Sequence, residues 1–241
     1  MLAFAVGALL LVAFLGRERR AAAPMLDLRL FARPGFSAAN VAGFLMSAGM
    51  FGSIFLITLY VQTVLQYSPL RAGLGTMPWT GTIMLVAPLA GILAGRIGSR
   101  PPVVIGLTAQ ATSLLWLSHV AGAATPYHVL LPAFLLGGLG MGLVFAPLSA
   151  AVMGTIDDAR SGQASGSYNA IRELGGVFGV AVLGAVFQHF AATPTAFLTG
   201  FHTALVFGAV LLLCGLISAV RLPGGSIRLP APAPEPVSGM A

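Results

Sequence analysis

Side chains able to do chemistry are few in this chain, and most sit at the ends of apolar runs. The four histidines, His119, His128, His189 and His202, would be the first candidates for metal ligation or proton transfer. Their spacing is not that of a metal site, and each falls near one end of an apolar run or in a loop on the same side. As interfacial polar residues they need no further role. No Asp or Glu lies in the middle of an apolar run, so neither a carboxylate pair for acid–base catalysis nor a titrating mid-membrane acid is supplied. The single cysteine, Cys214, lies in an apolar run and excludes a disulfide or cysteine–metal framework within the chain. The expectation is a protein that is not an enzyme and holds no metal or cofactor.

Some polar groups do lie at mid-run. Gln110, with Thr112 and Ser113, is near the centre of one run, and Thr80 and Thr82 flank the centre of the run before it. Hydroxyls on membrane helices usually bond back to their own helix, whereas a buried amide is costlier and more informative. Gln110, Thr112 and Thr80 are therefore the candidate substrate-cavity residues, the alternative for Gln110 being contact with another helix. Phe44, Met46, Met50, Phe51 and Phe55 could line an adaptable apolar pocket or face lipid. Arg172 and Glu173 stand where a long helix enters the membrane, as a local ion pair or as snorkelling side chains. Asp157 and Asp158, a few residues earlier, would cap the positive end of that helix.

The elements that must position these groups are membrane spans. The 241 residues are 57% hydrophobic and 7% charged, with mean hydropathy +0.94. That is too little charge for a soluble surface. The twelve basic residues are all Arg and sit between apolar runs, so they read as topology determinants, not a nucleic-acid surface. Residues 1–16 form an apolar run ending at Arg17-Glu18-Arg19-Arg20, the reverse of a signal peptide, and are expected to be part of a spanning helix whose N-terminal neighbours are missing. Residues 17–36 read as an amphipathic connector in the interface. Ser37 would cap the next span, about 38–62, and Ser68 followed by Pro69 would start one reaching about Gly95, with Pro78 and Pro88 inside. Further spans are expected at about 103–121, 129–153, up to Phe190, and 200–220, so that residues 37–221 form one bundle. Residues 222–241, rich in Pro, Ala and Ser, read as a disordered tail. With the connector inside, alternation places eleven of the twelve arginines on that side and Arg71 alone outside, so the C-terminus is expected in the cytoplasm.

The stretch from Asp157 to Phe190 organises the rest. On a helical wheel Ser165, Asn169, Arg172, Gly176 and Gly179 fall on one stripe, polar at the surface and glycine-lined inside. Gly175, Gly176 and Gly179 would let another helix pack closely, which matters in lipid because association there rests on packing. A static seam and a seam that opens and closes both fit.

Four stretches, in order, carry a family resemblance. LDLRLFARPGFSAANVAGF, YSPLRAGLGTMP, GILAGRIGSR and GQASGSYNAIRELGGVFGVAVLG resemble the C-terminal half of the fourteen-span drug:proton antiporters of the major facilitator superfamily. In the third, Gly91, Leu93, Arg96, Gly98 and Arg100 match the superfamily's cytoplasmic loop motif, but Gly95 stands where that motif has Asp. In the fourth, Glu173 replaces a Gln-like residue.

The resemblance implies an all-α polytopic membrane protein: one linker spanning helix, then a six-helix half-bundle of two inverted three-helix repeats. It implies proton-coupled efflux of small amphipathic compounds by alternating access across a bacterial inner membrane. The implied partners are membrane lipid, the substrate, protons and the missing N-terminal half, with no nucleic acid. Gly91, Arg96, Gly98, Arg100, Arg172 and Glu173 would belong to a cytoplasmic gate, and the proton carrier would lie in the other half. An exporter of one metabolite or antibiotic, or a non-transporting truncated fragment, are the alternatives.

Overall fold

A computed structural model describes residues 28–154, 156, 160–191 and 196–222, together with positions 9, 13, 16 and 17. Most of the expected linker span and connector, Asp157 and Asp158, and nearly all of the tail lie outside the described residues. Among those described, a short 3₁₀ turn at Leu28–Ala32 precedes six helices: α1 Pro34–Thr63, α2 Pro69–Ile97, α3 Arg100–Val120, α4 Tyr127–Met153, α5 Ser161–Phe190 and α6 Phe197–Ala219. All six are long and apolar enough to cross a membrane.

Local chemistry sets the boundaries. The Ser68 side chain accepts from the Arg71 N–H, with Pro69 opening α2. Ser37 does not cap α1. Pro34, whose fixed φ suits a first helical position, starts that helix one turn early. Ser37 Oγ instead donates to Phe31 O at 2.5 Å, tying the 3₁₀ turn to the helix. Arg100, Pro101 and Pro102 likewise form the first turn of α3. α5 begins at Ser161, so the polar residues before Arg172 are helical too.

The packing repeats itself. α1 packs along α5 and α2 along α4, while α1 and α3 pack against α6 and α4 respectively, and α3 meets α6. Exchanging α1–α2–α3 for α4–α5–α6 leaves this pattern unchanged. Glycine contacts give the directions. Gly43 meets Tyr168 and Gly52 meets Gly179 and Leu183, so α1 and α5 run parallel. Gly106 meets Gly140, and Gly137 meets Ser113, so α3 and α4 run antiparallel. Because each unit has an odd number of spans, the two are inverted relative to one another. The bundle is a pair of inverted three-helix repeats.

This arrangement sorts charge by end. Arg33, Arg96, Arg100, Arg160 and Arg221 flank helix termini at one end. At the other, Arg71 stacks on Tyr67, its guanidinium carbon 4.1 Å from the ring centre, and His202 Nε2 lies 2.7 Å from Ala121 O. Tyr60 and Tyr127 clamp that end, donating to Gly122 O at 2.7 Å and Gly75 O at 2.8 Å. His119, His128 and His189 are exposed there. α3 and α6 are covered by their neighbours along one side, whereas α2 keeps a long apolar face uncovered, including Leu70, Leu74, Met77, Met84, Leu85, Leu89 and Ile92.

Candidate functional site

An apolar groove with hydroxyls in its wall opens between α1, α2 and α4. It encloses about 260 Å³ and is lined by Ile54, Ile57, Thr58, Thr76, Trp79, Thr80, Ile83 and Met141. Thr58 and Thr76 satisfy their protons on the carbonyls of Ile54 and Gly73, which leaves each hydroxyl oxygen free to accept. Trp79 is buried, its ring centre 6.5 Å from that of Phe134, so the wall it forms is held rigidly. Gly138 makes this possible: its α-carbon sits against the Trp79 backbone where a side chain would clash. Such a site can hold an apolar or aromatic molecule and offer acceptors at a few points.

Of the three residues singled out for a cavity, Thr80 lines this groove and the other two do not. Gln110 is 1% exposed and lies in the α3–α4 seam against Gly140, with neither amide atom hydrogen-bonded. Thr112 is exposed on α3 and donates to Thr108 O. Ser113, by contrast, pins the same seam by donating to Ala133 O at 2.7 Å. The bundle therefore separates the three.

At the arginine-bearing end, Arg172 stacks on Phe145 of α4, 4.6 Å from the ring centre, and bonds Glu173 Oε1 at 2.8 Å. The Arg172 side chain is 17% exposed and that of Glu173 63%, so the guanidinium is the packed partner and the carboxylate the wet one. Glu173 edges a second, wider groove of about 510 Å³ between α1 and α5, whose other walls are Phe51, Gly176, Val177, Val180 and Ala181.

The glycines beside Arg172 face α1. Gly175 lies on the Phe44 backbone, Gly176 on the Phe51 ring and Gly179 on the Ala48 carbonyl. The packed stripe of α5 runs Ala164, Tyr168, Gly175, Gly179, Leu183, all buried. It is rotated from the Ser165–Asn169–Arg172 stripe, where Asn169 is exposed, so the polar residues flank the seam.

The α2–α3 turn contains the remaining gate candidates. Gly98 has φ 87° and ψ 164°, a backbone open essentially to glycine alone. Its neighbour Ser99 is 1% exposed with an unpaired hydroxyl. Arg96 and Arg100 are exposed on either side, and Gly91 faces α4 with ordinary clearance to Ala146.

Sequence reasoning missed Trp79 and Phe145. Trp79 carried a usable signal, since tryptophan in the interior of a span and away from the interface is unusual. Phe145 carried none, because its role depends on which helix α5 meets. Among the described residues no cluster of His, Cys, Asp and Glu is placed to hold a metal ion.

Comparison with known proteins bears on what this bundle is. A family model described as the Major Facilitator Superfamily matches residues 1–180. The drug efflux pump JefA of Mycobacterium tuberculosis is 36% identical over 187 residues, covering 75% of this chain and 36% of that protein. The multidrug resistance protein Stp of the same species is 35% identical over 176 residues, 72% of this chain and 32% of Stp. The tetracenomycin C resistance and export protein of Streptomyces glaucescens is 32% identical over 182 residues, 76% of this chain and 34% of that protein. The chain spans about a third of the length of the curated relatives it matches.

Proposed function

Since the chain belongs to the Major Facilitator Superfamily, we propose that it forms the C-terminal bundle of an exporter of drugs or other amphipathic compounds. The observation that carries this reading is the groove between α1, α2 and α4, where hydroxyl acceptors are set in a wall of Ile54, Ile57, Trp79, Ile83 and Met141. Binding there rests on apolar contact with few directional constraints, as a tolerant efflux site requires. The names of JefA and Stp, an efflux pump and a multidrug resistance protein, support the same reading.

In this proposal the uncovered apolar face of α2 and that of α5, where Leu174, Val177 and Phe178 are exposed, meet a second six-helix bundle, and the groove opens onto the path between the two. The arginine-bearing end is cytoplasmic, by the positive-inside rule. Alternating access opens the path at each end in turn, with the Gly98 turn and the Arg172–Phe145 stack forming part of the cytoplasmic closure. Transport is coupled to protons. Among the described residues Glu173 is the only acid, and it lies at the rim of the second groove, not at mid-depth. The coupling acid is therefore assigned to the partner bundle.

A second reading, export of one antibiotic or metabolite, is favoured by the tetracenomycin C relative. One experiment separates the two. Cells expressing the protein should accumulate less of several unrelated dyes, ethidium among them, than control cells, and Trp79→Ala should abolish the difference. Unchanged accumulation across a dye panel would sink the multidrug reading. Lowered accumulation of a single aromatic antibiotic alone would establish the second.

A further inference from the structure

The helix pair α1–α5 is closely packed along its length, yet the buried polar groups of α1 are treated differently along the helix. Beyond its middle, Ser53, against Gly208 of α6, is fully buried and satisfied, donating to Gly49 O at 2.6 Å. Toward the arginine-bearing end the pattern reverses. Asn40 is 3% exposed and donates to Phe36 O at 2.8 Å, but its Oδ1 accepts nothing. Ser47 is fully buried with no partner for its hydroxyl. The hydroxyl-bearing edge of the Tyr168 ring of α5 lies against Gly43, so close that a Cβ there would come within 2.7 Å of Cε2, and its buried hydroxyl is also unpaired. One turn on, Arg172 keeps Nε buried and unbonded.

Asn40, Gly43 and Ser47 share one face of α1, so Tyr168 packs on Gly43 between two residues that bear unpaired groups. All four atoms are sealed from water. A polar group buried without a partner forfeits its hydration, whereas the same group returned to water regains it. Close backbone contact between the two helices, Gly175 on Phe44 and Gly179 on the Ala48 carbonyl, begins between Asn40 and Ser47 and continues toward mid-bundle.

We infer that the arginine-bearing half of the α1–α5 seam is a strained joint, poised to part and admit water around Asn40, Ser47 and Tyr168 while the Gly179 half stays closed. This goes beyond the export reading, and it holds whatever compound is carried. It places a flexing point inside the bundle, next to the Arg172–Phe145 stack. Opening there would turn the first three turns of α5 against α1.

Two tyrosines make an internal comparison. Tyr60 and Tyr168 are both buried side chains, but the Tyr60 hydroxyl donates to Gly122 O and that of Tyr168 is unpaired. In detergent-purified protein, Tyr60→Phe should lower the melting temperature, whereas Tyr168→Phe should raise it by roughly 2–4 °C. Opening is read separately. With the exposed Cys214 changed to Ser, a Ser47→Cys reporter should react with a small water-soluble thiol reagent, and Tyr168→Phe should slow that reaction about fivefold or more. A lower melting temperature for Tyr168→Phe would show that its hydroxyl is already satisfied and overturn the inference. An unchanged labelling rate would overturn it equally, because the strain would then not drive opening. Dye export need not be active for either readout, so failure of the export reading and failure of this one remain distinguishable.

Discussion

Replacing Gly52 by Ala is the sharpest test of how α1 and α5 are held. A Cβ at Gly52 would stand 2.6 Å from Gly179 O, 2.9 Å from the Gly179 carbonyl carbon and 2.9 Å from Leu183 Cδ2. The leucine can turn aside. The Gly179 carbonyl is fixed in the α5 hydrogen-bond ladder and cannot. Ordinary contact begins at 3.4 Å, so the helices must part by about 0.8 Å, and overpacking of this kind costs about 1–3 kcal/mol. Gly184, on the same α5, has nothing within 4 Å of the equivalent position. Both substitutions gain the same helix propensity, about 1 kcal/mol, so that term cancels between them. The expected difference is about 2 kcal/mol, or roughly 4–8 °C in melting temperature for a chain of this size. Thermal unfolding in detergent, followed by fluorescence of Trp79 and Trp116, measures it. If Gly52→Ala and Gly184→Ala melt together, close backbone approach is not what holds the pair, and the packing argument fails.

Two further outcomes are expected. Gly98→Ala should destabilise the protein by about 1–3 kcal/mol, because φ 87° with ψ 164° is closed to a residue with a Cβ; a melting curve identical to that of the unaltered protein would contradict this. In a double-mutant cycle of Arg172→Lys with Phe145→Leu, the coupling should be about 0.5–1 kcal/mol, since a planar guanidinium stacks on the ring and an ammonium does so less well. Zero coupling would mean that the Arg172–Phe145 contact contributes nothing.

The inverted symmetry bears on how the two candidate regions relate. The repeat exchange that carries α1 onto α4 carries α2 onto α5, so the two helices with the largest uncovered apolar faces are equivalent positions in the two repeats. One bears the hydroxyl-lined groove through Trp79 and Thr80. The other bears Glu173 at the rim of the wider groove. Equivalent helices thus offer a neutral, aromatic wall and an acidic rim.

The sequence alone determined the class, the six spans among the described residues and the sorting of charge between their ends. A spanning segment must satisfy its backbone internally and be apolar for about 20 residues, which makes helices readable one at a time. Pro69 and the Pro101-Pro102 pair mark where two of them start, and the arginines mark one end of the bundle, because both signals are local, whereas α1 starts at Pro34 and not after Ser37. The four motif stretches likewise sufficed to recognise the family that the comparison shows. What no local signal could decide is which faces meet. Gln110 and Thr80 are alike as mid-run polar residues, yet one is sealed against Gly140 and the other lines a groove. In a helix that is apolar all round, periodicity does not distinguish the lipid face from the packed one. That choice is made by close glycine contacts between helices far apart in the chain, and so by the tertiary structure alone.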